Sequence, residues 1–156
     1  MAEMIYGHRT GPGKGKEYKV AASQYMHRRG GKVVYLSTAG EVTMCGSDAT
    51  YAMGWAVPPK DASGYNAWKS SSTAGDDRVY VITGMDDEYE MPVHSAITLT
   101  ATYIGHGASP VLSGSTYSMV QYARIGTAAS VLVVTGVDVV KNTVLVKIKP
   151  NTKQQL

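Results

Sequence analysis

The chain of 156 residues carries 15 Lys and Arg against 12 Asp and Glu, and 44% of its residues are hydrophobic. This length fits one domain with a real core, and a net charge of +3 is too small to indicate nucleic-acid binding by itself. The single cysteine, Cys45, excludes an internal disulfide, and no apolar run is long enough for a membrane-spanning helix. We therefore expect one soluble domain without a disulfide framework.

The first 31 residues differ from the rest of the chain in glycine content and in charge. Residues 7–15 contain four glycines and a proline, and residues 1–32 carry seven basic side chains against two acidic ones. Such a stretch has too little apolar side chain to pack by itself, so we expect residues 1–31 to form an extended basic arm. An arm of this composition is either disordered or ordered by lying on a partner.

Within this arm, residues 17–29 fit two kinds of secondary structure. Tyr18, Ala21, Ala22, Tyr25 and Met26 fall on one stripe of a helix, and Gly30 and Gly31 would suit its C-terminal end. The segment also alternates from Tyr18 to Ala22 and leads directly into a strand. The stripe favours a short helix, and the alternation leaves a strand open.

Between residues 32 and 150 the chain reads as short β-strands separated by turns. The strand segments are rich in Val, Ile, Thr and Tyr and are bounded by Gly, Pro, Asp or Ser. The predicted strands are 32–37, 41–45, 51–57, 78–83, 95–103, 117–122, 130–135 and 142–149. We predict a mainly β fold with a small β-barrel body at 32–150, at most one short helix, and a C-terminal tail at 151–156.

Two polar segments interrupt the body. Residues 58–77 form a long loop insertion that contains Tyr65 and Trp68. These aromatic residues indicate either that the loop docks on its own body or on another subunit, or that it is an Ω-loop packed by its own aromatic side chains. Residues 86–90 carry four acidic side chains. These could pair with the basic arm of a neighbouring subunit, or both segments could be solvated surface features.

No set of residues with a recognisable catalytic spacing lies on the predicted strands. The glycine-rich run 11–16 lacks the spacing of a phosphate-binding loop, and no two of the four histidines stand two or four residues apart. The acidic segment lacks the frame of a calcium loop, and Cys45 lies in a predicted strand, where a buried, inert thiol is expected. We therefore expect no catalytic residue, no metal site, no cofactor and no enzyme.

A family resemblance begins at residues 31–57. Gly-Lys-Val-Val-Tyr-Leu, a turn with Gly40, Glu-Val-Thr-Met and then Ala-Met-Gly-Trp-Ala resemble strands of the capsid decoration (cement) proteins of tailed bacteriophages. Arg78-Val-Tyr-Val-Ile-Thr-Gly resembles a later strand of that family. The likeness covers residues 17–105 and is a pattern of β-turn spacing. It implies a small β-barrel or β-tulip body with an N-terminal arm that runs over the capsid lattice.

The same resemblance implies a virion structural protein that binds the outer surface of an icosahedral capsid and stabilises it. Its partners would be the lattice of the major capsid protein and further copies of itself, as a trimer or dimer on the shell. It would reside in the host cytoplasm during assembly and then on the outer capsid surface. The arm residues that contact the capsid would be Tyr6, Arg9, Lys14, Lys16, Tyr18 and Tyr25. Contacts between subunits would come from Trp68, Asp86, Asp87 and Glu88.

A small β-barrel that binds nucleic acid is the alternative function. A basic arm beside a β-body fits this class, in which aromatic side chains stack on bases next to a basic groove. The predicted strands are not basic, however, and the aromatic residues do not alternate with the basic ones on a single strand. Nucleic acid is therefore the less favoured partner, no membrane partner is expected, and a head–tail connector or a tail-tube subunit stays open as a related structural role.

Overall fold

The computed structural model describes residues 7–59, 66–84, 86–94, 97–126 and 130–154. In these residues the chain forms thirteen β-strands and three 3₁₀ turns of three residues each. The strands are β1 His8–Thr10, β2 Gly15–Lys19, β3 Tyr25–His27, β4 Val33–Leu36, β5 Val42–Met44, β6 Gly54–Val57, β7 Ala67–Lys69, β8 Arg78–Ile82, β9 Glu88–Pro92, β10 Gly107–Ser113, β11 Val120–Ile125, β12 Leu132–Asp138 and β13 Thr143–Ile148. The turns are Ala101–Tyr103, Thr116–Ser118 and Pro150–Thr152. The prediction of a mainly β fold is confirmed.

The strands form three antiparallel sheets. The six-stranded sheet has the order β1-β9-β13-β12-β10-β11, the five-stranded sheet has the order β2-β8-β6-β4-β5, and β3 pairs with β7. The five-stranded sheet curls until Val20, directly after β2, forms a single bridge with Val42 in β5. One bridge is not continuous strand pairing, so the predicted barrel is not closed.

Two apolar clusters fill this architecture. The first lies against the six-stranded sheet and contains Trp55, Tyr89 and Leu132, all with at most 1% of their surface exposed. The second is built around the curled sheet and contains Val20, Met53 and other residues. Neighbouring residues of β4 and β6 enter different clusters, because successive side chains of a strand point to opposite faces. The unbroken apolar run Val-Val in β4 is thus explained by burial on both faces.

A buried glutamine connects the two large sheets. Gln121 lies on β11 and is 1% exposed. Its Nε2 donates hydrogen bonds to the carbonyls of Val33, at 2.9 Å, and Cys45, at 3.0 Å, and its Oε1 accepts one from the Val33 N–H at 2.8 Å. The carbonyl of Gln121 also accepts a bond from the Gly31 N–H. One side chain therefore satisfies three backbone groups of the other sheet.

The described part of the predicted arm, residues 7–31, is extended but lies within these sheets. β1 pairs with β9, β2 with β8 and β3 with β7. The boundary predicted at residue 31 thus separates three strands from their hydrogen-bonded neighbours. The helix favoured for 17–29 is wrong, because the Val20 and Ala21 N–H groups donate to Asp77 and Val42 across the curled sheet. Pairing with distant strands overrides the local pattern.

The predicted strands agree with the structure in six of eight segments, namely those that contain β4, β5, β6, β8, β12 and β13. The strand predicted at 95–103 is wrong for its described residues. Leu99 is buried and Ile97 is partly buried, so the apolar residues of this segment do enter the core. The strand that pairs with β12 on that side is nevertheless β10. The strand predicted at 117–122 begins only at Val120, after a 3₁₀ turn. Strands β7, β9 and β10 lie where loops were predicted.

We expect Gln121→Met to lower the free energy of unfolding by about 3 kcal/mol, because it leaves the buried Val33 N–H and Cys45 carbonyl without a hydrogen-bond partner, while the Val33 carbonyl keeps its bond from the Cys45 N–H. Urea unfolding followed by far-UV circular dichroism measures this. The matched control is Gln154→Met, since Gln154 also bonds both backbone groups of one residue, Leu36, but is only partly buried and can be replaced by water. Equal losses in the two variants would contradict the role given to Gln121.

Candidate functional site

The N-terminal segment passes from one large sheet to the other alongside the β8–β9 connection. β8 belongs to the five-stranded sheet and β9 to the six-stranded sheet, and β2 and β1 pair with them in that order. The Thr83 N–H donates to the Lys14 carbonyl at 2.9 Å, and the Glu90 N–H donates to the Gly7 carbonyl at 2.8 Å. The segment is therefore bonded to both sheets on either side of the crossing.

The Asp87 carboxylate holds this crossing together. Its side chain has no exposed surface, and Oδ1 lies 2.7 Å from His8 Nε2. The same oxygen accepts a hydrogen bond from the Gly13 N–H at 2.8 Å. Its other oxygen, Oδ2, has no hydrogen-bond partner among the described residues. One buried carboxylate bonds both to His8 in β1 and to Gly13 just before β2, and it thereby fixes the path of the segment between them.

Glycine is required where the backbone passes this carboxylate. Gly11 has a φ of +99°, and a Cβ there would lie 2.5 Å from Asp87 Oδ1. A Cβ on Gly84 would collide with Oδ2. Gly11, one of the glycines that predicted a flexible arm, is therefore needed for a close approach and for a left-handed backbone.

Most of the acidic segment is bonded within the chain. Arg9 Nη2 lies 2.6 Å from Glu90 Oε1, and Thr143 Oγ1 donates to Glu90 Oε2 at 2.7 Å. Glu88 accepts hydrogen bonds from Thr135 and Thr10, and these lower the pKa of its carboxyl. The acidic segment and the basic segment thus meet inside one chain. The sequence alone suggested only pairing between neighbouring subunits or two solvated surface features.

The structure distributes the predicted contact residues over several environments. Asp87 is enclosed and has no surface left for a neighbouring subunit, whereas Asp86 is exposed. Trp68 is partly buried on β7 against the second cluster. Of the predicted capsid contacts, Lys14 and Lys16 are exposed, and Arg9 pairs with Glu90. Tyr18 packs against the second cluster, and Tyr25 contacts Tyr117 edge to face. Tyr6 lies outside the described residues.

An exposed strand edge carries the unpaired positive charge of this region. Lys14, Lys16, Lys19 and Arg78 are exposed, and none of them forms an ion pair with any described residue. Lys19 and Arg78 stand directly opposite each other on β2 and β8, where like charges repel. We call these four residues, together with the outer side of β2, the basic edge. Sequence reasoning missed Lys19 and Arg78, because only strand register places them together.

The backbone of β2 is open along the basic edge. The backbone of Lys14 bonds with Thr83, and the backbone of Val20 bonds with Asp77. Between them, the residues whose backbone groups point toward β8 are therefore Lys16 and Tyr18. Since bonded residues alternate along an antiparallel strand, the N–H and C=O groups of Gly15, Glu17 and Lys19 point away from β8. In the part of the chain that the structure describes, no strand pairs with that side.

A buried lysine, Lys32, lies directly before β4. Lys32 is fully buried, its Nζ donates to the Gly30 carbonyl at 2.6 Å, and it lies 6.0 Å from the centre of the Trp55 ring. Burial lowers the pKa of Lys32 to about 7. Burial, and then the charge of Lys32, also lower the pKa of His27.

The histidines and the cysteine considered in the sequence do not form a cluster among the described residues. No three His, Cys, Asp or Glu side chains come together among them. Cys45 is buried, and burial raises the pKa of its thiol, which keeps the thiol protonated and unreactive. His94 and His106 contact different tyrosines, Tyr122 and Tyr103. Over the same residues, no helix has the length and apolar character needed to cross a bilayer.

Comparisons with protein families, with curated proteins and with solved structures find no match for this chain.

We expect Asp87→Ala to release the N-terminal segment locally. Loss of its two charge-assisted hydrogen bonds costs about 2 kcal/mol, which corresponds to roughly thirtyfold faster hydrogen exchange at the Thr83 and Glu90 amides. Both amides bond to the segment, whereas the Met53 amide bonds to Val34 and serves as an internal reference. The matched control is Asp86→Ala, an exposed neighbour. Unchanged exchange at Thr83 and Glu90 would contradict the role of Asp87.

Lys32 should make stability depend on pH above neutrality. Its pKa is about 7 in the folded chain and about 10.4 in an unfolded one, so the unfolded state binds more protons between these values and stability rises with pH. From pH 7 to pH 9 we expect the free energy of unfolding to rise by about 2 kcal/mol relative to Lys32→Met. Urea titrations of both proteins measure the difference, and parallel pH profiles would refute it.

Proposed function

We propose that the chain is a virion structural protein that binds the outer surface of an icosahedral capsid and stabilises it. The observation that carries this proposal is the basic edge, an open strand whose cations form no ion pair with any described residue. The segments that resemble decoration proteins support it, because they form β4, β5, β6 and β8, which belong to one sheet.

The basic edge would bind by adding a strand. The outward backbone groups of β2 can pair with an extended segment of the shell protein, and the four cations select a segment rich in Asp and Glu. Lysines on an edge strand normally discourage pairing, because they repel neutral or basic strands. An acidic segment is attracted instead of repelled, so the same lysines make the edge selective for acidic strands. Weak contacts repeated across a lattice would then give firm binding.

The docking of residues 7–31 on the body changes how the contact is made. A free arm would reach the shell on its own, whereas this segment is bonded to both large sheets. Deleting residues 1–31 would remove three strands and unfold the body, so it does not test shell binding. Substitutions on the exposed edge test it without removing a strand.

We expect the triple substitution of Lys14, Lys16 and Lys19 to Gln to weaken binding to expanded empty heads at least tenfold, because three charge contacts are lost at every copy. Co-sedimentation with heads of the encoding phage, at several protein concentrations, gives the binding curve. The control triple changes Arg124, Lys141 and Lys147 to Gln, which lowers the net charge equally but leaves the basic edge intact.

The outcome is read against this control and one further variant. Glu17→Pro keeps the lysines but removes an outward N–H, so weaker binding by it indicates strand addition beyond charge attraction. Binding by the edge triple that equals the wild type would refute the proposal.

Nucleic acid is the second candidate partner, since the basic edge could also contact phosphates. The same proteins are therefore mixed with single-stranded oligonucleotides at low and moderate salt. Affinity that falls steeply with salt, and is lost in the edge triple, would favour a nucleic-acid-binding protein. Absent binding removes that alternative.

A further inference from the structure

A pocket of about 350 Å³ opens at the side of the molecule where β4, β5 and the connection 46–51 approach β10. Met44 and Leu112 supply apolar lining, and Tyr35 and Tyr51 supply two aromatic side chains. The volume lies at the small end of the range for sites that bind small molecules. The basic edge is formed by other strands, so this pocket is a separate feature of the surface.

The two tyrosines stand at a right angle. Their ring centres are 6.2 Å apart and the ring planes are inclined by 84°. Tyr51 is 43% exposed, an unusually open position for a large ring, and Tyr35 is partly buried. Two perpendicular rings on the wall of one pocket offer electron-rich surfaces to a cation.

Among the described residues that line the pocket, the only charged side chain is a carboxylate. Asp48 is exposed, and no described residue forms a hydrogen bond or an ion pair with its side chain. No lining residue is basic, so the pocket as a whole is negative. An exposed carboxylate beside open aromatic rings has the composition of a site for an organic cation.

We infer that this pocket binds a guanidinium group, as the side chain of an arginine presented by a partner protein. A planar guanidinium stacks on an aromatic ring and still donates hydrogen bonds to a carboxylate, which a compact ammonium does less well. Neither contact is strong at an exposed position, so one pocket binds at millimolar concentration. The inference goes beyond shell binding and does not depend on it.

The test uses the full chain labelled with ¹⁵N and the probe N-acetyl-arginine amide, followed by amide chemical shifts. We expect saturable shifts confined to residues 46–51 and their surroundings, with a millimolar dissociation constant. The neutral isostere N-acetyl-citrulline amide should bind at least fivefold more weakly. Asp48→Asn and Tyr51→Leu should each weaken arginine binding at least threefold, and both positions are exposed enough for the fold to persist.

Matched controls use the same substitutions elsewhere. Asp86→Asn and Tyr80→Leu change an exposed carboxylate and an exposed ring outside the pocket, and both should bind like the wild type. The inference is overturned if no shifts localise to 46–51, if the citrulline probe binds as well as the arginine probe, or if both pocket variants bind like the wild type. None of these results bears on binding to heads, which is measured with the basic edge.

Discussion

The Asp87 carboxylate lies where the chain leaves one sheet and enters the other, and the path of the N-terminal segment depends on it. His8 in β1 and Gly13 just before β2 both bond to Oδ1, so one atom holds both parts of the segment. Burial of a charge is costly unless it is well bonded. The bonds from His8 and Gly13 to Asp87 therefore favour this path of the segment, together with the pairing of β1 with β9 and of β2 with β8.

Tying down this segment has a consequence for the surface. With β2 held against β8, its other side faces solvent, and Lys14, Lys16 and Lys19 are displayed on a rigid strand. A rigid display loses less conformational entropy on binding than a disordered arm does. The structure therefore shows a segment that is already ordered on its own body, where the sequence predicted an arm that gains order only on a partner.

Local pattern sufficed for some elements and failed for others. β4 and β5 were predictable because a Gly-containing turn joins two β-rich runs, and β13 because its apolar density is high. β9 was hidden by its charges, since Glu88 and Glu90 are satisfied by Thr10, Thr135, Arg9 and Thr143, which come from distant segments. β1 and β2 were hidden by glycines such as Gly11, which is needed where the backbone passes Asp87.

The candidate site was less predictable than the fold. Lys14 and Lys16 could be singled out by charge alone, but the register of β2 against β8 is what adds Lys19 and Arg78. The pairing of Tyr35 with Tyr51 likewise depends on how β4 meets the connection that leads to β6. Such sites are built from residues distant in sequence, and a single sequence carries no signal of their proximity.

The central claim is that residues 8–19 are folded onto their own body in the isolated chain. Backbone ¹⁵N relaxation of the free protein measures this directly. The account predicts order parameters near 0.85 from His8 to Lys19, as in the strands β8 and β9 with which they pair. Values below about 0.6 along this stretch, with β8 and β9 rigid, would show a detached arm and would contradict the account.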